Sequence, residues 1–574
     1  MATIASDIVD HLRASGITRV YGIPGDSLNG FTDSLRTDDA ISWVHVRHEE
    51  AAAFAAAADA ELTGNLGVCA GSCGPGNLHF INGLFDAQRS RVPVLAIAAH
   101  IPSEEIGSEY FQATHPTELF RECSVFAEEV SNPAQMPRLL RIAMREAIER
   151  RGVAVLVIPG DVALKPSAGK PVVPVLPTAS QTVPATAELQ TAGRALQPGR
   201  TITFLAVGGA QAAHDELVEL AGLLQAPIVH ALRGKEFVEY DNPYDVGMTG
   251  LLGFSSGYHA MQACDTLLML GTDFPYQQFY PEHATIVQVD IRGENLGRRT
   301  PVDVPLRGGV KETCAALTDL VRQKKDSKHL DAMRKHYGKT RGKLDDLATP
   351  TRDSRPIHPQ YLTRLIDEMA DDDAVFIPDV GSPVVWAARY LTMNGKRRLI
   401  GSFNHGSMAN GLVHAIGAQA AFPKRQIISM SGDGGLAMMM GELITLVQNK
   451  LPVKTVVYNN SSLNFVELEM KAAGFVTFGT DLANPDFSKV AEATGIKGFR
   501  VEKSSQLPEV VREFLAYDGP AVLDVITERQ EMSMPPAVTA EQAKGFALYA
   551  IRTVMSGKGD ELVDLARTNL RQIV

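Results

Sequence analysis

Short apolar runs rich in Val, Ile and Leu alternate along this chain with longer segments whose apolar residues recur at helical spacing. In the first stretch the runs RVYGI, SWVHV, LGVCA and VPVLAIAA are separated by a helix after Ser27, the helix EEAAAFAAAADAEL and a helix after Gly76. That alternation predicts a parallel sheet covered by helices, since parallel strands need crossover connections that bury both faces. A Pro-rich, aperiodic stretch over 165–188 predicts a linker. A second alternating unit follows, with TITFLAV, PIVHAL, TLLMLGTDF and ATIVQVDI as strands, and closes near residue 330. The charged segment 324–356 then leads to a third unit from His358, with DAVFIPD, RRLIGS, RQIISMSGDGG, PVKTVVYNN and PAVLDVIT as strands. The pattern predicts an α/β protein of three consecutive doubly wound parallel-sheet domains, 1–182, 183–334 and 335–530, and a tail over 531–574. The similar rhythm of the first and third units suggests duplication, although no fixed-period repeat is present.

The tail holds Pro535 and Pro536, the segment AKGFALYAIRTVM, Gly557 and DELVDLARTNLRQIV. In its last part Leu562, Leu565, Ala566, Leu570, Ile573 and Val574 fall near helical spacing, with Asp560, Glu561, Asp564, Arg567 and Arg571 elsewhere around the turn. Such a helix usually docks on its own protein or on an oligomer partner; the sharper alternative is a peripheral membrane foot.

Composition narrows the class. Apolar residues make up 45% and charged residues 21%, the profile of a globular protein, and 574 residues exceed one ordinary core. A net charge of -11 argues against a nucleic-acid partner, because phosphate binding needs clustered Lys and Arg. Cys69, Cys73, Cys123, Cys264 and Cys314 contain no CxxC pair and signal neither a disulfide framework nor a zinc site, which fits a reducing cytoplasm. Cys69 and Cys73 read as small packed residues near a turn. The N-terminal amphipathic pattern lacks a secretory signal's charged and apolar regions, and no stretch is long and apolar enough to span a bilayer.

The chemistry concentrates in Gly432-Asp433-Gly434-Gly435 at the end of one apolar strand and Asn459-Asn460 at the end of the next. A Gly-Asp-Gly turn lets phosphate oxygens approach backbone N–H groups, while one carboxylate and one amide oxygen hold Mg²⁺ without over-neutralising it. Alone the tripeptide is an ordinary strand-to-helix turn; with Asn-Asn at this distance it resembles the thiamin diphosphate signature. That resemblance makes Asp433, Asn460 and the Ser462 carbonyl metal ligands, and places Gly434, Gly435, Ser461, Leu463, Asn464, Phe465 and Val466 along the cofactor.

Other residues match the same family one by one. Glu49 in VRHEEAAAFAAAADA stands where the family has the glutamate that activates thiamin through its aminopyrimidine nitrogen. Adjacent Glu50 is expected to point elsewhere on its helix. Met408, preceded by His405, Gly406 and Ser407, resembles the bulky residue that wedges the cofactor into its bent shape, and GSCGPGNLHFINGL resembles the family's Gly-Pro-Gly interface loop. The middle unit carries no GxGxxG fingerprint, since Gly208-Gly209-Ala210 is a weak match. Its segments HALRGKE, YDNPYDVGMTGLLGFSS, LGTDFPYQQFYP and QVDIR nevertheless resemble the FAD domain of the pyruvate oxidase and quinone-dependent pyruvate dehydrogenase group. On that resemblance Arg233, Leu251, Leu252, Gly253, Phe254, Phe274, Pro275, Tyr276, Gln277, Gln278, Asp290 and Arg292 contact FAD. Phe465 approaches the cofactors on activation, and Phe111 and Gln112 border the substrate pocket. One departure is Glu467, an acid where close relatives carry smaller residues.

The resemblance covers the whole chain and implies thiamin diphosphate, FAD and Mg²⁺ as cofactors, with a thiamin pyrimidine-binding first domain, an FAD-binding second domain and a diphosphate-binding third domain. It implies oxidative decarboxylation of pyruvate to acetate and CO₂, electrons passing through FAD to ubiquinone or menaquinone. It also implies sites shared between chains of a homo-oligomer, at least a dimer and by expectation a tetramer, and a cytoplasmic protein held to the inner face of the membrane by its tail. Rival expectations are a phosphate- and oxygen-dependent pyruvate oxidase that makes acetyl phosphate, an acetolactate synthase, and a non-catalytic homologue. The presence of Glu49, Asp433 and Asn460 argues against the last.

Overall fold

The computed structural model describes residues 2–197, 200–531, 540–555 and 559–573. In the first unit β1 (Arg19–Gly22), β2 (Ser42–His45), β3 (Gly67–Gly71), β4 (Val94–His100), β5 (Phe126–Glu129) and β6 (Val153–Pro159) form a parallel sheet in the order β2-β1-β3-β4-β6-β5. In the second, β7 (Ile202–Ala206), β8 (Ile228–His230), β9 (Asp245–Met248), β10 (Thr266–Leu270), β11 (Thr285–Asp290) and β12 (Val304–Arg307) lie in the order β12-β11-β10-β7-β8-β9, again parallel. The third holds β13 (Val375–Pro378), β14 (Arg398–Leu399), β15 (Ile427–Gly432), β16 (Lys454–Asn459), β17 (Lys497–Val501) and β18 (Ala521–Ile526) in the order β14-β13-β15-β16-β18-β17. Strand for strand, the first and third sheets share one order, so the duplication absent from the sequence is plain in the topology. The middle sheet has the doubly wound order whose switch point lies between β7 and β10. Every residue of β4, β6 and β10 is buried, as continuous apolar runs in a covered parallel sheet require.

The first and third units pack through two helices. The alanine-rich helix Glu49–Thr63 crosses Asn410–Ala421 so closely that a Cβ on Gly417 would overlap the Ala55 carbonyl oxygen. Small residues are what permit that approach. Beside it the buried Tyr21 hydroxyl donates to Asp59 at 2.8 Å, and Arg19 forks onto the same carboxylate at 2.7 and 2.9 Å.

Two expectations need correction. The charged segment after residue 324 is not a plain connection, since it contains the helix Lys328–Leu347, whose Tyr337 packs against Phe254 in the middle unit. The boundary expected at 334/335 therefore falls inside a helix. Only Leu330 of that helix is fully buried, so its sequence carries almost no apolar stripe. The strands β5, β6, β9, β12 and β17 were also absent from the expected set: β6 is a buried apolar run, VAVLVIP, that the strand reading omits, and the other four are sheet edges, where polar residues, Gly or Pro replace the apolar run.

The tail forms the helices Ala540–Met555 and Gly559–Ile573. Pro535, Pro536, Gly557 and Val574 lie outside the described residues. The first tail helix docks on helix Asn464–Ala472: a Cβ on Gly545 would overlap the Ala472 carbonyl, and Arg552 donates to Gly474 O at 2.6 Å. Among the described residues no helix is long and apolar enough to cross a membrane.

Candidate active site

In the third unit β15 ends at Gly432, and Asp433 opens the next helix. Its carboxylate is 3% exposed and has only N–H donors around it. Oδ1 accepts from Gly434 N at 2.9 Å, and Oδ2 accepts from Asn460 N at 3.1 Å, Ser461 N at 2.6 Å and Asn484 Nδ2 at 2.8 Å. Burial raises the Asp433 pKa, and these donors oppose the rise. No cation of the described residues pairs with it, so the site lacks positive charge that a metal would supply. Asn460 Oδ1 accepts from Ser462 N at 3.0 Å, and Ser461 turns the loop with φ of 55°. The described residues contain no cluster of three His, Cys, Asp or Glu side chains suited to a metal. A metal here would therefore be held by one carboxylate with amide and backbone oxygens.

Beside this turn lies an open cavity of about 360 Å³ lined by Met408, Gly434, Ala437, Met438, Leu463, Leu482, Ala483, Asn484 and Pro485. Every lining residue belongs to the third unit. Met408 thus borders open space rather than filling core. Asn464 accepts from Ser382 Oγ at 2.7 Å, Phe465 packs half-buried on the third unit's core, and Val466 is exposed. Gly435 lies against Asp379, at the end of β13, where a Cβ would overlap Asp379 Oδ2. Asp379 takes Asn410 Nδ2 at 3.0 Å and has its pKa pushed up to about 7 by burial.

In the first unit Glu49 is buried at the start of its helix, and its Oε2 is 2.8 Å from His79 Nδ1. Gly76 sits close by, where a Cβ would lie 3.1 Å from Glu49 Oε1. The His79 ring stacks on His48, the residue that caps the helix. Glu50 points away from Glu49, as expected, and is engaged there. It accepts from Asn82 Nδ2 at 2.7 Å, and Asn82 also reaches Ser407 Oγ at 2.9 Å and His405 Nε2 at 2.8 Å. The helix start projects the two neighbouring acids in different directions, one toward the Gly-Pro-Gly loop and one toward the 405–407 turn, where Gly406 has φ of 79°. Gln112, also with positive φ, accepts from Cys73 Sγ at 3.4 Å, and Phe111 is 79% exposed rather than core.

In the middle unit the loops after β7 and β10 meet at the switch point, where a Cβ on Gly209 would lie 2.5 Å from Gly271 Cα. Asp290 ends β11 there, receiving Arg292 N at 2.8 Å and Asn295 Nδ2 at 3.2 Å. Phe254 and Phe274 are buried, Leu252 and Gly253 offer carbonyls to Arg389, and Leu251, Pro275, Tyr276, Gln277 and Gln278 are exposed. Burial raises the Tyr276 pKa, and the Glu469 charge adds to it. Arg233 donates to Ser90 O at 2.9 Å, and Arg292 binds the Arg150 carbonyl. Both arginines thus hold C-terminal carbonyls of first-unit helices.

Sequence reasoning missed His79 as the Glu49 partner, together with Asn82, Asp379, Glu442 and Asn484. Glu442 is buried, accepts from Arg47 N at 3.0 Å and Thr445 Oγ1 at 2.6 Å, and so fixes the loop just before Glu49. Burial pushes its pKa up to about 7. None of these carries a spacing signal.

Three family models match the chain: the thiamine pyrophosphate enzyme N-terminal TPP binding domain over 2–119, the central domain over 189–317 and the C-terminal TPP binding domain over 379–525. Three relatives span nearly its whole length. A putative thiamine pyrophosphate-containing protein of Bacillus subtilis is 36% identical over 99% of this chain and 98% of its own. Pyruvate oxidase of Lactiplantibacillus plantarum is 30% identical over 90% and 87%, and acetolactate synthase isozyme 2 large subunit of Escherichia coli is 30% identical over 92% and 96%. With three matching sheets, a buried Asp433 turn and a Glu49 helix start in place, the chain belongs to the thiamine pyrophosphate enzyme family, in its pyruvate oxidase and acetolactate synthase branch.

Proposed function

We propose that this protein decarboxylates pyruvate oxidatively to acetate and CO₂ and passes the two electrons through FAD to a membrane quinone, ubiquinone or menaquinone. The observation that carries the reading is the meeting of two segments in one chain: the loops assigned to FAD lie against the elements that carry the thiamin residues. Leu252 and Phe465 pack on the same apolar cluster, and Arg389 binds the Leu252 carbonyl. When bound, thiamin diphosphate supplies a nucleophilic carbon and an electron sink for 2-oxo acid decarboxylation, and FAD a two-electron acceptor.

The chain's own residues do the rest. Asp433, Asn460 and Ser462 would hold Mg²⁺ and the diphosphate, a seat that fits a buried carboxylate without a cationic partner. Met408 and Leu463 shape the cavity wall. Glu49, paired with His79, would hold a proton at the aminopyrimidine. The Gly209–Gly271 approach at the switch point, with Asp290 beside it, fits a dinucleotide. Because the thiamin cavity has no lining from the first unit, Glu49 would reach it from a second copy, and exposed Phe111 with half-buried Gln112 would close the substrate pocket across that interface. A homo-oligomer, at least a dimer and by expectation a tetramer, follows.

Support for the membrane acceptor comes from the surface around the tail. Ile551, Val554 and Met555 are exposed on the first tail helix, next to the loop that exposes Phe475 and Phe478. An apolar strip of this kind suits a peripheral contact with the inner face of the membrane, where a lipid-soluble quinone resides. The test is the fate of pyruvate with purified protein, thiamin diphosphate, Mg²⁺ and FAD. Acetate formed with quinone reduction, and stimulated by anionic lipid vesicles, is expected. Acetyl phosphate formed with phosphate and oxygen, or acetolactate formed without an acceptor, would replace this reading with the corresponding rival.

A further inference from the structure

Helix Asn464–Ala472 buries a carboxylate that the proposed chemistry does not use. Glu467 is 1% exposed, yet both its oxygens are occupied. Oε2 accepts from Ser462 Oγ at 2.6 Å and from Arg529 Nη2 at 3.0 Å, while Oε1 accepts from Lys471 Nζ at 2.7 Å. Lys471 is itself 1% exposed and also donates to Gln530 Oε1 at 2.7 Å. Arg529 bonds Asp481 at 2.7 Å, and Asp481 bridges Ser462 through the backbone. Two cations are thus committed to one buried acid. A buried ion pair is a poor way to gain stability compared with apolar packing of the same volume, so its use points to position rather than to strength.

What it positions is the turn that carries the proposed metal ligands. Ser462 faces both ways: its hydroxyl donates to Glu467, and its backbone N–H donates to Asn460 Oδ1 at 3.0 Å. Fixing Ser462 from behind therefore fixes the orientation of the Asn460 amide and of the Ser462 carbonyl in front. We propose that Glu467 is a positioning residue for the metal site, an anchor that sets the 460–462 turn through Ser462 and is itself held by Lys471 and Arg529. The inference rests on the proposed Mg²⁺ site. It also gives a role to an acid that stands where the family resemblance leads one to expect a smaller residue.

The test uses the full-length protein and Mg²⁺ titrations at saturating thiamin diphosphate, read by the change in intrinsic fluorescence, with thermal melts in parallel. Glu467→Gln keeps the size but loses the charge that holds Lys471 and Arg529. Ser462→Ala removes only the hydroxyl and leaves both ion pairs in place. The half-saturating Mg²⁺ concentration is expected to rise about tenfold or more in Glu467→Gln and severalfold in Ser462→Ala, in line with loss of an outer partner of a metal ligand. Ser462→Ala should melt as the wild type does. Should Glu467→Gln fail to fold, Ser462→Ala decides alone. A wild type that needs Mg²⁺ alongside variants with unchanged Mg²⁺ affinity would overturn the inference. A wild type that takes up thiamin diphosphate without any Mg²⁺ dependence would overturn the metal site, and the inference with it.

Discussion

Asp433 and Glu442 show how differently two buried acids can be read from sequence. Asp433 announces itself, because a strand-to-helix turn with small neighbours is a local pattern and Asn459-Asn460 repeats the strand-end logic on the adjacent strand. Glu442 is silent: its role exists only because Arg47 and His48, far away in sequence, bring their N–H groups to it. His79, Asn82, Asp379 and Asn484 were hidden for the same reason, each being one polar residue made important by a tertiary approach. Glu442 also makes a prediction. Its pKa in the folded protein is about 7 against an ordinary 4.5, so folding binds its proton more tightly than the unfolded chain does. Stability then falls as pH rises from about 4.5 to 7, by an amount on the order of 3 kcal/mol, and is flat above that range as far as this group is concerned. Denaturant melts of wild type and Glu442→Gln between pH 5 and 8 should show the substitution flattening that slope, whereas parallel pH profiles would assign it elsewhere.

At the scale of elements, the alternation of apolar strands with helices was legible at central strands buried on both faces such as β4, β10 and β16, although the equally buried β6 was not among the expected strands. Edge strands such as β5 and β17 escaped because half their environment is solvent, and the helix Lys328–Leu347 escaped because it buries so little. The helix Glu49–Thr63 was legible as a helix but not as an interface. Its alanines read as propensity, yet they allow the approach to Gly417. Gly417→Ala would push a methyl group against the Ala55 carbonyl in a helix with no slack on that face. It should cost about 1 to 3 kcal/mol in equilibrium unfolding despite the better helix propensity of Ala. A Gly417→Ala protein as stable as wild type would mean that the two helices can separate freely.

The whole molecule repeats one sheet order at its two ends around a middle unit of a different order, and that plan decides where chemistry can sit. The first unit offers an acid with a histidine partner, the third a buried carboxylate turn beside a cavity, and the middle two glycine loops in close approach at its switch point. The division into three units was readable from the chain alone, as was the strand-end turn at Asp433. The docking of the tail on helix Asn464–Ala472 needed the fold.

The proposed reaction requires electrons to leave a 2-oxo acid and arrive on a flavin inside this one protein. Anaerobic mixing of the protein, loaded with thiamin diphosphate, Mg²⁺ and FAD, with pyruvate should bleach the flavin absorbance on the catalytic timescale, and added quinone should restore it. A flavin that stays oxidised while pyruvate is consumed, or with no consumption at all, would contradict the account and leave FAD without a redox role.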